Sequence, residues 1–359
     1  MPSVRTSGDE VVLDFSSDPH LDESGMDADT DLAVRYDNCG TQILADEPDL
    51  WFCGGDEFIT AFADDAGATT WATKRRARFA AVHHIAPAIM ALGNHESIDR
   101  GGGTVDVRNQ IAMNGFFFNP IADDLLGYYG KTVVGPATVV WAEPFSQSGF
   151  PVLALDDYDC QLSSTQLTFV TDTIAACATN WLILHTHEAL VHRGYRVGDG
   201  NVLQAGSQAS TIHAALLAWK AAGANRNVIV ARGHDHLHGM DLIDGIAYVQ
   251  VGSPSRFFTF LGIPSTAVET GYWASEDGTL PSYTKHLGNY PGYVRMRLSA
   301  HTGRIEFVRT TTAISGTAAD DALMYAFTMP GVGNHGEHWA GRSGVSTAHW
   351  KGVCWAPMQ

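Results

Sequence analysis

The chain has 359 residues, 45% hydrophobic and 17% charged, a globular balance that excludes wholesale disorder. Its 22 basic against 39 acidic residues leave a formal charge of −17, so long nucleic acid is a poor partner for this surface. The first ten residues lack the apolar core of a signal peptide, and no run approaches ~18 uninterrupted apolar residues, so a soluble, cytoplasmic chain without membrane contact is expected.

Residues 11–15 read as a buried strand, 29–45 as a helix, and 50–53 as a second strand. A helix rich in basic residues is predicted over 70–85, followed by a short strand at 88–92. This strand–helix alternation points to parallel pairing with helices outside. The stretch 96–130, rich in Gly, Asn and Phe, reads as an irregular loop excursion. Short β-rich runs come next at 132–134, 138–141 and 152–155, then a helix at 165–178, a strand at 181–184, a helix at 209–222 and a strand at 228–231. Asp244-Gly245 joins 240–243 to 246–251 as a hairpin, because that dipeptide suits a tight two-residue turn. A second loop excursion is expected over 253–291, and a closing hairpin over 292–299 and 304–309. The organisation predicted is one main domain over 1–310 and a C-terminal extension over 311–359, dense in Gly, His and Trp.

Five cysteines, odd in number and without a Cys-x-x-Cys pair, fit reduced buried thiols better than disulfides or a zinc–thiolate site. The 16 histidines are a large stock of metal ligands and proton carriers. Their positions relative to the strands carry the information. The first strand is followed by Asp18-x-His20, the second by Gly-Gly-Asp56, the third by Gly-Asn94-His95-Glu. The strand at 181–184 runs into His185-Thr-His187, and the strand at 228–231 into Arg-Gly-His234-Asp-His236. In an α/β sheet, ligands gather beyond the carboxyl ends of the strands, so five strand ends bearing Asp, Asn or His converge on one place.

A lone His-x-His pair is weak, but this ordered set resembles the calcineurin-like metallophosphoesterase superfamily over roughly residues 10–310. The resemblance implies an α/β fold of two mixed β-sheets packed as a sandwich and flanked by helices, with a dinuclear metal centre at one end. It implies that Asp18, His20 and His236 hold one divalent ion, that Asn94, His187 and His234 hold the other, and that Asp56 bridges them. Mixed N/O ligation suits Mn, Fe(II) or Zn without choosing among them. A metal-held hydroxide would attack phosphorus in line, and His95 would support the leaving oxygen. The expected activity is phosphomonoester or phosphodiester hydrolysis, with a slight lean to diesters or small phosphomonoesters over phosphoproteins.

The chain departs from the family pattern in places. Ala189 stands where a Pro usually follows the fourth-block histidine, and His187 is chosen over His185 because the spacing from the strand start fits it better; His185 is left as an alternative ligand or a residue behind the ligands. Ile59 replaces the metal-binding Tyr of the purple acid phosphatase branch, which argues against an Fe(III)–tyrosinate site. The loops after Glu96 and Ser253 match no familiar subfamily, so the substrate stays open.

Other features admit plainer readings. Arg100 and Arg108 suit a phosphate clamp as well as they suit solvated loop positions. His83 and His84 sit where a cation complements a helix C-terminus, His238 reads as a neighbour of the ligands or a surface residue, and Tyr272 and Trp273 read first as core aromatics. The tail group His335, His338 and His349, interleaved with Trp339, Trp350 and Trp355, offers a surface for self-association but is more simply explained by packing on the domain. Gly54-Gly55-Asp56-Glu57-Phe58 spells the diguanylate cyclase signature, yet the upstream Asp-x-Asp-x-Phe-Lys-like segment is missing, so cyclase is a remote alternative. An alternative from another class is a catalytically idle member of the fold, kept for binding or assembly; against it stands the complete ligand set.

Overall fold

The structure is a computed structural model that describes residues 11–21, 31–48, 50–58, 62–83, 88–90, 95, 131–134, 137–141, 152–154, 164–177, 181–187, 208–223, 226–255, 268–269, 283–288, 291–298, 302–310 and 322–330. Its first half alternates β1 (Val11–Ser16), α1 (Asp31–Ala45), β2 (Leu50–Cys53), α2 (Asp65–His83) and β3 (Ala88–Met90). Parallel neighbours need a crossover, and α1 and α2 supply it: β1 pairs with β2, and β2 with β3, in parallel. Strands β4 (Lys131–Val134), β5 (Ala137–Trp141) and β6 (Val152–Ala154) lead to α3 (Ser164–Ala176) and β7 (Trp181–Thr186). Helix α4 (Gln208–Ala221) then connects to β8 (Asn227–Arg232), β9 (His238–Ile243) and β10 (Ile246–Gln250). The chain ends its described course with β11 (Val268–Glu269), β12 (Tyr283–Gly288), β13 (Gly292–Leu298), β14 (Thr302–Arg309) and β15 (Ala322–Pro330).

These strands form two mixed sheets, ordered β15-β14-β13-β1-β2-β3 and β11-β12-β9-β10-β8-β7-β6-β5-β4. Period-two alternation assigns each side chain to a layer. Leu13, Phe15, Phe52, Val294, Met296, Ile305 and Phe307 of the first sheet meet Trp181, Ile183, Ile229, Ala231, Met240 and Val249 of the second in one buried core. The intervening residues face outward. Trp51, Cys53 and Tyr293 pack on Tyr36, Cys39 and Ile43 of α1 and on Ala68, Trp71 and Ala72 of α2. Leu182, Leu184, Val228, Val230 and Tyr248 pack on α3 and α4 through Val170, Ile174, Ile212, Leu216 and Trp219. Each of the fully buried Val, Leu, Ile, Phe and Met side chains contributes about 1.5–3 kcal/mol relative to exposure. The result is the helix–sheet–sheet–helix sandwich expected from the sequence.

Three stretches differ from expectation. Helix α2 starts at Asp65 rather than near residue 70, because Asp64 caps it: its Oδ1 accepts the Gly67 N–H at 2.8 Å. That cap outweighs the poor helix propensity of Gly67, Thr69 and Thr70. The 253–291 stretch, read as loop, contains β11 and β12, and β12 pairs antiparallel with β9. Residues 322–330, placed by sequence in the C-terminal extension, form β15, the edge strand of the first sheet, paired with β14. The 96–130 excursion lies outside the described residues. Among the described residues no helix is long and apolar enough to cross a membrane. Cys39, Cys53 and Cys177 are buried thiols.

Candidate metal centre

The carboxyl ends of β1, β2, β7 and β8 lie at one edge of the sandwich, and the loops leaving them are tied together by backbone. Beyond β1 and β2 the hydrogen bonding continues: Gly54 N donates to Ser16 O (2.8 Å), Asp18 N to Gly55 O (3.0 Å), His20 N to Asp56 O (3.0 Å) and Leu21 N to Glu57 O (2.7 Å). Two indoles hold the ends of the first loop. Trp51 Nε1 donates to Ser16 Oγ at 3.0 Å, and Trp71 Nε1 donates to Leu21 O. Gly233 N donates to His187 O at 3.0 Å, which joins the loops after β7 and β8.

Five of the candidate ligands have left-handed backbone: φ is 56° at Asp18, 47° at His20, 55° at Asp56, 72° at His234 and 58° at His236. Outside glycine this region is sparsely populated, and such conformations persist where the surroundings over-determine them, commonly at functional sites. Close approach adds to the constraint. A Cβ on Gly54 would stand 2.3 Å from Ser17 Oγ, and one on Gly233 would stand 1.8 Å from Ser17 Oγ and 2.5 Å from Asp18 Oδ2. Only glycine fits at either place.

The side chains so presented form two groups that share Asp56: Asp18, His20, Asp56 and His236 in one, Asp56, His187 and His234 in the other, with ligating atoms of each group within 4.8 Å of one another. In the first, His20 Nε2 and His236 Nε2 are 2.8 Å apart, and Asp18 Oδ1 lies 3.3 Å from His236 Nε2 and 3.8 Å from His20 Nε2. In the second, His187 Nε2 is 3.3 Å from Asp56 Oδ2 and 3.3 Å from His234 Nδ1. The other atoms of these residues are occupied in ways that aim them. Asp18 Oδ2 accepts the His234 N–H (2.8 Å), Asp56 Oδ1 accepts the His95 N–H (2.9 Å), and His187 Nδ1 sits 2.6 Å from Gly54 O, which fixes a proton there and turns Nε2 inward.

This donor set fits divalent cations. Asp18 Oδ1 is fully buried and accepts no hydrogen bond among the described residues. Imidazole nitrogens crowd toward it and toward Asp56 Oδ2, an arrangement that calls for positive charge between the donors. Carboxylate oxygen with imidazole nitrogen matches Mn, Fe(II) or Zn. Burial by itself would raise the Asp56 pKa, but the facing rings of His187, His95 and His20 outweigh it and hold the carboxyl well below its usual range. Asp56 is therefore an anion.

The two histidines left open by the sequence separate cleanly. His185 shares the inward parity of Trp181 and Ile183; its ring lies 5.7 Å from Phe15 and 5.4 Å from Phe52, its Nε2 is 3.3 Å from Cys53 O, and burial lowers its pKa to about 4. It belongs to the neutral core behind the site. His187, just past the strand, faces Asp56; burial would lower its pKa, yet the Asp56 and Asp18 carboxylates raise it to about 10. His95 joins the first group at its rim, with Nε2 3.8 Å from Asp56 Oδ2 and its ring edge-on to His20 at 4.9 Å. His95 and His234 keep 6% and 5% exposure while Asp18, His20, Asp56 and His187 are fully buried.

His238, expected near the ligands or at the surface, is buried at the start of β9, with Nδ1 accepting from Gly252 N at 3.2 Å and its ring edge-on to Phe307. The Gly-Gly-Asp-Glu-Phe string is accounted for by the fold. Gly54 allows close approach, Asp56 joins both ligand groups, Phe58 packs under Trp71, and Glu57 forms a buried ion pair with Arg75 of α2, Nε to Oε2 at 2.6 Å. Sequence reasoning misses that ion pair, for which the basic run in α2 is the available signal. It also misses Asp235, which stands between two candidate ligands. Asn94, Arg100, Arg108, His84, Tyr272, Trp273, His335, His338 and His349 lie outside the described residues, and His83 ends α2.

The sequence model of the family described as calcineurin-like phosphoesterase matches residues 13–238. Sequence comparison with curated proteins finds no match. Among solved structures, the chain is similar to PhoD, with TM-score 0.62 and 12% identity over 92% of this chain and 71% of that one. It is also similar to a dimetal phosphatase from Danio rerio, with TM-score 0.52 and 10% identity over 89% and 98%. A third neighbour is GAP50, the anchor in the inner membrane complex of Plasmodium, with TM-score 0.51 and 12% identity over 90% and 89%.

Proposed function

The chain belongs to the calcineurin-like phosphoesterase family, and from that premise we propose that it hydrolyses phosphoesters at a centre of two divalent metal ions. Asp18, His20, Asp56 and His236 would hold one ion; Asp56, His187 and His234, with Asn94 by family resemblance, would hold the other. When bound, the ions supply Lewis-acid charge for the phosphoryl oxygens and make water a stronger nucleophile at neutral pH. Asp56, ionised and shared by both groups, neutralises charge between the two positions. His95, whose Nε2 lies 3.8 Å from Asp56 Oδ2, is placed to give a proton to the leaving oxygen.

The observation that carries this reading is the convergence of two Asp/His groups on one shared carboxylate. A solved neighbour that is an anchor and another that is a phosphatase share the fold, so the fold alone does not decide for catalysis. The intact donor set does favour it over an idle scaffold. The substrate proposed is a phosphodiester or a small phosphomonoester, with Arg100 and Arg108 as candidate contacts to its phosphate.

The test pairs elemental analysis of protein purified without chelator with hydrolysis of bis- and mono-p-nitrophenyl phosphate in Mn²⁺. Metal uptake at about two equivalents per chain and turnover of at least one ester are expected. Metal-loaded protein inert toward both esters counts against catalysis and returns the idle scaffold as the better reading.

A further inference from the structure

We propose that Asp235, gripped by Arg232 and Gln250, is a positioning residue that keeps His234 and His236 aimed at different metal ions; the inference rests on the two-metal reading above. The backbone here is unusual. Asp235 N donates to Gly233 O at 2.9 Å, closing a three-residue turn around His234, whose φ is 72°. A turn of that hand, with an i to i+2 hydrogen bond, is the rare and strained form of the γ-turn. The next ligand, His236, is again left-handed at φ 58°. A short segment of this kind relaxes unless it is held from more than one side.

Asp18 Oδ2 holds one side by accepting the His234 N–H at 2.8 Å. On the other side the Asp235 carboxylate turns away from the ligands. Its Oδ2 accepts from Arg232 Nη1 at 2.7 Å and from Gln250 Nε2 at 3.0 Å. Those two donors are the last residues of β8 and β10 and are direct partners in the parallel register, so the sheet itself sets their spacing. Arg232, Asp235 and Gln250 are all buried. A buried ion pair is weak evidence for net stability, since apolar groups of the same size often do as well. Its use here is directional: it fixes the one residue that lies between two ligands assigned to separate ions.

The experiment compares wild type with Gln250→Met, which removes one donor without orphaning a charge, and with Asp235→Asn. Three quantities are measured: thermal unfolding of metal-free protein, Mn²⁺ affinity by calorimetry, and kcat and KM for bis-p-nitrophenyl phosphate as Mn²⁺ is raised. Gln250→Met is expected to weaken Mn²⁺ binding ~10–100-fold. Its metal-free melting is expected to change little, and its kcat to recover at high Mn²⁺. Asp235→Asn is expected to weaken binding at least as much. A Gln250→Met protein that binds Mn²⁺ like wild type overturns the proposal, whether or not Asp235→Asn folds. Wild-type protein that takes up no Mn²⁺ defeats the two-metal reading and this inference with it, a result distinct from equal binding by both proteins.

Discussion

Strand β1 and the loop leaving it carry two buried aspartates, Asp14 and Asp18, whose surroundings are opposite in kind. Asp14 points to the helix side of the first sheet. There Arg295 Nε lies 3.9 Å away and also donates to Asp46 Oδ2 at 2.7 Å, while Arg295 Nη1 donates to Glu306 Oε2 at 3.0 Å. Arg304 Nη2 adds a contact to Glu306 Oε1 at 2.6 Å, and Tyr293 donates to Asp46. Guanidinium cannot give up its proton, so Asp46 and Glu306 face a fixed positive charge. Asp18 follows the strand in left-handed backbone and meets imidazoles, which present lone pairs to a cation once they shed a proton. Burial of a carboxylate therefore does not mark a site. The kind of partner does.

Asp56→Asn, which strikes the residue common to both ligand groups, is expected to lower kcat/KM on bis-p-nitrophenyl phosphate by ~10³-fold or more, about 4 kcal/mol of transition-state stabilisation. Metal-free stability should not fall with it. If the variant retains wild-type turnover in Mn²⁺, the shared carboxylate is not needed and the two-group reading of the site fails. The reverse pattern is expected for Arg295→Met. Removing the cation shared by Asp14, Asp46 and Glu306 should cost about 3 kcal/mol in urea unfolding, the low end for a buried pair because Arg295 is 16% exposed. Turnover per folded molecule should survive.

Metal addition gives a third separation. Mn²⁺ at ~100 times its dissociation constant should raise unfolding stability by about 2.7 kcal/mol, reversibly with chelator. That increment should persist in Arg295→Met and vanish in Asp56→Asn; its persistence in the latter would sink the shared-ligand assignment. The smallest effect concerns Asp14 itself. Burial, then the nearby Asp46, push its pKa well above the usual carboxylate range, although Arg295 and Arg297 pull the other way. The folded protein keeps that proton to higher pH than the unfolded chain does, so stability falls as pH rises through this window. Asp14→Asn, neutral throughout, should exceed wild type by about 1 kcal/mol above the window and converge with it below. Equal unfolding curves at all pH values would show Asp14 to be fully compensated by its arginines.

The site is legible in the sequence because its residues come directly after strands whose apolar runs are easy to read, and because strand ends converge. That rule alone places Asp18, His20, Asp56, His234 and His236, with a family pattern to order them. His185 and His187 share one parity, so what separates them is the end of the strand: β7 runs from Trp181 to Thr186, which keeps His185 on the inward face and leaves His187 beyond it. The Asp244-Gly245 turn is equally clear, and both residues have positive φ, 52° and 74°. Less legible is anything stabilised from afar. β12 mixes Tyr, Lys and His without alternation and owes its strand to pairing with β9, some forty residues earlier in the chain. The Asp14–Arg295 cluster joins residues 281 positions apart by number, and no local pattern announces it.

Two indoles bracket the loop that carries Asp18 and His20, one through Ser16 and the other through the carbonyl of Leu21. If that loop shifts when metal is added, the polarity felt by Trp51 or Trp71 changes, and tryptophan emission would then report occupancy. Seven further tryptophans dilute the signal, which makes the difference between loaded and stripped emission, rather than either spectrum, the quantity to follow.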